Sequence, residues 1–134
     1  MRALLLAGIV LALGATAAEA RYVDFRTPSG NIGCAYSDNP RPSLRCDILQ
    51  SSDMPQKPRS CDLDYGYAYA MHRRGKVITL CAGDTVVNQN APVLHYGKSK
   101  RVGGFTCRSR MRGLRCKNKS GHGIFLSRAR IEKF

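Results

Sequence analysis

Residues 65–71 read Tyr-Gly-Tyr-Ala-Tyr-Ala-Met, with a tyrosine at every second position. A period of two is that of a β-strand, whose successive side chains point to opposite faces. The turn-like run His72-Arg73-Arg74-Gly75 follows, and Lys76-Val77-Ile78-Thr79-Leu80-Cys81 runs back. This order predicts a hairpin, with the three tyrosines in one row. Two more hairpins are predicted over residues 31–49, turned by Asp38-Asn39-Pro40-Arg41-Pro42, and over residues 105–117. Residues 22–25 read as a further short strand. Residues 54–60, with Pro55 and Pro58, read as a connecting loop. No stretch sustains a helical period for a useful length. The one helical expectation is a short turn within residues 126–134. The predicted fold class is all-β, a small antiparallel sandwich or partly open barrel.

The start of the chain follows another pattern. Arg2 precedes an almost wholly apolar run over residues 4–17, and Ala18-Glu19-Ala20 fits a small-x-small cleavage site. Residues 1–20 are therefore read as a secretory signal peptide. A membrane anchor is the competing reading, disfavoured by the shortness of the run and the lack of a basic stop-transfer flank. The expectation is a single exported domain over residues 21–134, periplasmic or extracellular, with no later membrane span.

All six cysteines fall in that domain, at Cys34, Cys46, Cys61, Cys81, Cys107 and Cys116. An even count in an exported chain implies disulfides. Zinc usually uses C-x-x-C or H-x-x-x-H pairs, and the chain has neither, so no metal or other cofactor is expected. Six cysteines allow 15 connectivities. Spacing favours the sequential one: Cys34–Cys46, Cys61–Cys81 and Cys107–Cys116. Each bond would close a short loop, worth about 3 kcal/mol on the loop-entropy account. The predicted sandwich or barrel is thus one of disulfide-clamped hairpins. Two of them echo each other, since Leu-Arg-Cys stands on the returning strand at residues 44–46 and 114–116.

Seven short motifs carry a family resemblance: TPSGNIGC (27–34), LRCDI (44–48), CAGDT (81–85), LHYG (94–97), GFTC (104–107), GLRC (113–116) and GHGIFLSR (121–128). Through them the chain resembles an uncharacterised family of secreted bacterial proteins. The resemblance implies an exported, disulfide-bonded domain and no particular activity. Members of that family often carry Trp near the position of Tyr65, and this chain has no Trp.

Within the first motif, Pro28-Ser29-Gly30-Asn31 suits a β-turn, with Gly30 or Asn31 free to take positive φ. Ser29 would act as a nucleophile only beside a base, and none lies nearby in sequence. The loop is read as a structural corner leading to Cys34. Of the three histidines, His122 sits exposed between two glycines, His95 in a strand-like run and His72 in a turn. His122 and Asp84 would form an acid–base pair, as in a small secreted nuclease, only if folding joined them. The reading is non-enzymatic, with no catalytic residue assigned and Asp84 and Thr85 shaping a turn.

Charge then changes the picture. The whole chain carries 22 Lys+Arg against 9 Asp+Glu, a net charge of +13. Residues 21–64 hold six groups of each sign, whereas residues 65–134 hold fifteen basic and two acidic groups. If Cys107 and Cys116 pair, Phe105, Cys107, Leu114 and Cys116 share the inner face. Period two then sends Arg108, Arg110, Arg115 and Lys117 outward, and Lys119 extends the row. Arg108 would oppose Arg115, a destabilising like-charge pair. The candidate partner is an anionic polymer or membrane surface: envelope phosphates, acidic polymers or nucleic acid held by its phosphates. The mapped face shows no interleaved aromatics, so base stacking is not expected. A protein-binding envelope factor or inhibitor is the alternative. A high pI serving only solubility is the plainest one.

Overall fold

In the computed structural model, which describes residues 9, 11–15 and 19–134, every strand pairs antiparallel with its sequence neighbours in its own sheet. The first sheet runs β1 (Tyr22–Arg26), β2 (Ile32–Ser37), β3 (Ser43–Ile48), β4 (Tyr65–His72) and β5 (Ile78–Cys81). The second runs β6 (Ser99–Val102), β7 (Phe105–Arg110), β8 (Gly113–Lys117), β9 (Gly123–Leu126) and β10 (Ile131–Lys133). The two open sheets pack face to face, the all-β architecture expected. The proposed leader, residues 1–20, lies largely outside the described residues.

The helical expectation for residues 126–134 fails. Ser127 N–H donates to the Arg130 carbonyl, and Arg130 N–H donates to Ser127 Oγ at 2.8 Å. The chain therefore turns at once and returns along β9, with Ile131 opposite Leu126. The strands β6 and β9 were not separately foreseen, although β9 falls inside the GHGIFLSR motif. The hairpin after the tyrosine strand is present, with its second strand beginning at Ile78.

Alternation builds the core. Phe105, Cys107, Leu114, Cys116, Ile124 and Leu126 point in from the second sheet, against Phe25, Cys34, Tyr36, Leu44, Cys46 and Ile48 from the first. The cystines Cys34–Cys46 and Cys107–Cys116 lie at matching strand positions, with Cα–Cα distances of 4.1 and 4.0 Å. That spacing belongs to the close, non-hydrogen-bonded pairs of an antiparallel ladder. The two cystines touch across the sandwich, with Cys46 Sγ 3.8 Å from Cys116 Sγ. Sulfurs of Cys34, Cys107 and Cys116 cluster within 4.8 Å. All are spent in disulfides, whereas a zinc ligand is a thiolate, so the cluster is a core contact. The third bond, Cys61–Cys81, ties the segment before β4 to the end of β5, with Cα atoms 5.7 Å apart. Three disulfides place the protein in an oxidising, non-cytoplasmic environment.

The outer side of the first sheet is also covered. Backbone bonds join Arg26 to Pro92 and Leu94, so the edge of β1 is capped. Beneath this segment Asp47, 1% exposed, accepts hydrogen bonds from Arg45 Nε and Nη2, Thr85 Oγ1 and Val86 N–H, at 2.8–3.0 Å. Burial disfavours the Arg45 charge, but its bonds to Asp47 and Asp84 outweigh this and raise its pKa above the ordinary arginine value. Asp84 and Thr85 thus clamp a loop onto the sheet. Asp47→Ala would leave a half-buried guanidinium with only Asp84 to pair it, and the Thr85 and Val86 donors without their acceptor. It is expected to cost about 3 kcal/mol in urea unfolding; an unchanged midpoint would refute the clamp.

The single tyrosine row does not survive folding. A β-bulge lies between Tyr65 and Tyr69, with Gly66 at φ 88° inside it. Tyr69 is 1% exposed while Tyr67 is 44% exposed. Burial pushes the Tyr69 phenol up to about 12, helped by Tyr65 and Asp53, and its hydroxyl has no hydrogen-bond partner among the described residues. A raised folded-state value means that the native protein holds this proton longer than the unfolded chain does. This contribution is intact below pH ~10 and is lost as the pH climbs toward about 12. Tyr69→Phe is expected to flatten that alkaline fall and to leave stability at neutral pH equal or higher, since an unpaired hydroxyl is removed. An unaltered alkaline profile would exclude Tyr69 as its source.

Candidate polyanion-binding face

The pairing of β7 with β8 sets the geometry. Cys107 faces Cys116 inward, so Arg108 opposite Arg115 must face outward, flanked by Arg110 opposite Gly113 and Thr106 opposite Lys117. Arg108, Arg110, Arg115 and Lys117 are all exposed. The fold adds two residues that the sequence row does not include, Arg101 and Arg21. Arg101 on β6 lies opposite Thr106, hence on the same outer face. Lys119, just past β8, lies over Gly104 and shares a shallow recess with Arg101 and with Arg21. Arg21 belongs by sequence to the charge-neutral half, so only folding brings it here.

These cations lack carboxylate partners. Among the described residues the ion pairs are Arg45–Asp47, Arg45–Asp84 and Arg130–Glu132. None involves Arg101, Arg108, Arg110, Arg115, Lys117 or Lys119. Strands β6 to β9 contain no acidic residue at all. Opposed arginines with no counter-charge cost stability in isolation and favour an anion laid across them.

The expectation of a face without aromatics is wrong. Phe125 on β9 lies opposite Arg115, and its ring covers Gly113. Phe134 bonds in both directions with the Gly123 backbone, and its ring covers that glycine. The Arg115 guanidinium stacks 3.7 Å from the Phe134 ring centre, and Arg130 lies 4.9 Å from that of Phe125. The signal was present in the alternation of Gly-Ile-Phe-Leu. Only Phe134 falls in the stretch expected to be helical; Phe125 stands just before it, on β9, a strand the predicted hairpins do not include. A stacked guanidinium is pre-organised and keeps its edge donors free for oxyanions.

The other candidates separate. Asp84 is bonded to Arg45 beside Tyr67, whereas His122 borders a different recess with Lys76 and Lys133, its Nδ1 3.3 Å from the Phe134 carbonyl. His122 is half-buried, not exposed as expected, and the two line no common cleft. His72 contacts Arg41 and the Pro42 carbonyl. The first motif is a corner: Gly30 N–H donates to the Thr27 carbonyl, and Gly30 takes φ 73°. The Asn31 amide bonds both ways with the Gln50 backbone, pinning this corner to the end of β3. Ser29 stays exposed at its tip.

The chain matches the family of unknown function DUF6636 over residues 4–134 and belongs to that family. No curated protein and no solved structure shows a significant match to it.

Proposed function

We propose that this protein is an exported, non-enzymatic domain that binds anionic polymers or phosphate-bearing envelope surfaces through the outer face of its second sheet. The observation that carries this reading is the row Arg101, Arg108, Arg110, Arg115 and Lys117, closed by Lys119. It lies on one exposed face with no carboxylate within ion-pair distance among the described residues. A charged surface serving solubility alone needs no such segregation. Contacts of this kind neutralise phosphates and release counterions, so affinity should fall steeply with salt. Phe134 and Phe125 hold Arg115 and Arg130 by stacking, which fixes those guanidiniums for an anion better than a flat array of free lysines would. The disulfides support an oxidising destination, and the leader read over residues 1–20 would supply the route. The test is retention of the purified protein on immobilised heparin with a sodium chloride gradient. Elution well above the salt that releases a protein of equal net charge but dispersed cations supports the reading. Coelution with that control refutes it.

A further inference from the structure

At one end of the sandwich the β1–β2 corner, the β7–β8 turn and the β9–β10 turn meet around a cleft of about 260 Å³. Three arginines line it: Arg110 at the end of β7, Arg112 in the two-residue turn, and Arg128 after β9. Its walls include Ser29 and Tyr96 and no Asp or Glu. Arg128 is steadied by a 2.8 Å bond from Nη1 to Gln50 Oε1, and Gln50 is in turn bonded to Asn31. The side chains of Arg110 and Arg112 make no hydrogen bond with any described residue. Ser29 Oγ accepts from Asn31 N–H, which leaves its own proton free to point outward. The TPSGN corner thus has a use besides turning the chain, because it forms one wall of a pocket of donors.

We infer that this cleft binds one phosphorylated sugar unit. Three arginines bordering one cleft without a counter-charge supply the donors that a phosphate monoester demands. The cleft leaves room beside a phosphate for the sugar that carries it. Tyr96, 43% exposed, and Met111, 86% exposed, supply the apolar surface against which the C–H face of a sugar ring packs. Arg110 belongs to both cleft and strand face, so the unit held here would be continuous with a polymer crossing β7 and β8. In that sense the inference rests on the polyanion reading.

The experiment is a titration of the folded, disulfide-bonded protein, followed by amide chemical shifts. The probes are glucose 6-phosphate, glucose and glucuronate. Glucose 6-phosphate is expected to saturate with a dissociation constant on the order of 1 mM, about 4 kcal/mol, moving Ser29, Tyr96, Arg112 and Arg128. Glucose should give no saturable shift, and glucuronate should bind at least tenfold more weakly. Arg112→Gln with Arg128→Gln should weaken the sugar phosphate at least tenfold; Arg112→Gln alone keeps the test readable if loss of the Gln50 contact disturbs the fold. Arg108→Ser with Arg115→Ser should leave it unchanged. Absent saturation, equal binding of glucose or glucuronate, or equal loss in the strand-face variant overturns the assignment. Heparin retention is scored separately. Retention without cleft binding sinks this inference alone, and cleft binding without retention sinks the polymer reading.

Discussion

Arg108→Ser, Arg110→Ser, Arg115→Ser and Lys117→Ser together are expected to weaken polyanion binding about a hundredfold or more at low salt. Each cation that neutralises a phosphate adds roughly one power to the salt dependence, so the slope of log affinity against log salt should fall by about three to four. The fold should tolerate the change, because all four side chains are exposed and none contributes to the core. Removing the Arg108–Arg115 opposition should offset part of the lost Arg115–Phe134 stacking. The comparison variant changes Arg41, Lys57, Arg59 and Arg74, which are exposed cations outside the second sheet. Formal charge falls equally in both. Heparin elution and thermal unfolding of the pair separate a local face from net charge, and equal loss of retention would remove the face from the account.

Loss of the two stacked cystines is expected to have the largest effect on stability. Cys34–Cys46 and Cys107–Cys116 close loops with sequence separations of 12 and 9. Each is worth about 3 kcal/mol on the loop-entropy account, so both together approach the whole stability of a small domain, roughly 5–15 kcal/mol. Cys34→Ala with Cys46→Ala should shift the urea midpoint down by about 1–3 M at ordinary slopes. Adding Cys107→Ala and Cys116→Ala should leave little folded protein at 25 °C. Far-ultraviolet circular dichroism during urea titration reads both variants. An unmoved midpoint in the first would mean that the contact at the centre of the sandwich is dispensable.

How much of this was legible in the sequence depends on the range of the interaction. Local alternation was enough for the hairpins, because the 105–117 segment is polar outside and, apart from the buried Ser109, apolar inside at every second residue. It was enough for the outward row as well, since the Cys107–Cys116 pair fixes the parity of Arg108 and Arg115. It misled at residues 65–71, where three tyrosines at period two suggested one face. The Gly66 bulge breaks the parity, and its one trace in the sequence is the isolated glycine inside the strand pattern. It also misled at residues 126–134, where helix-tolerant residues hide a turn closed by the Ser127 hydroxyl. Phe134 was lost with it, and Phe125 with strand β9, which the predicted hairpins do not include. Arg21 and the end cleft were out of reach for another reason. They depend on which turns the packing of two sheets brings to the same end, and no pattern of period two carries that information.

The central claim is that a local face of the second sheet, and not charge at large, meets the anion. Chemical-shift mapping of the protein with a short heparin oligosaccharide at moderate salt tests it most directly. The account predicts shifts concentrated at Arg101, Arg108, Arg110, Arg115, Lys117 and Lys119, with Phe125 and Phe134 moving alongside them. Shifts spread evenly over both sheets, or centred on the exposed loop at residues 54–60, would contradict it.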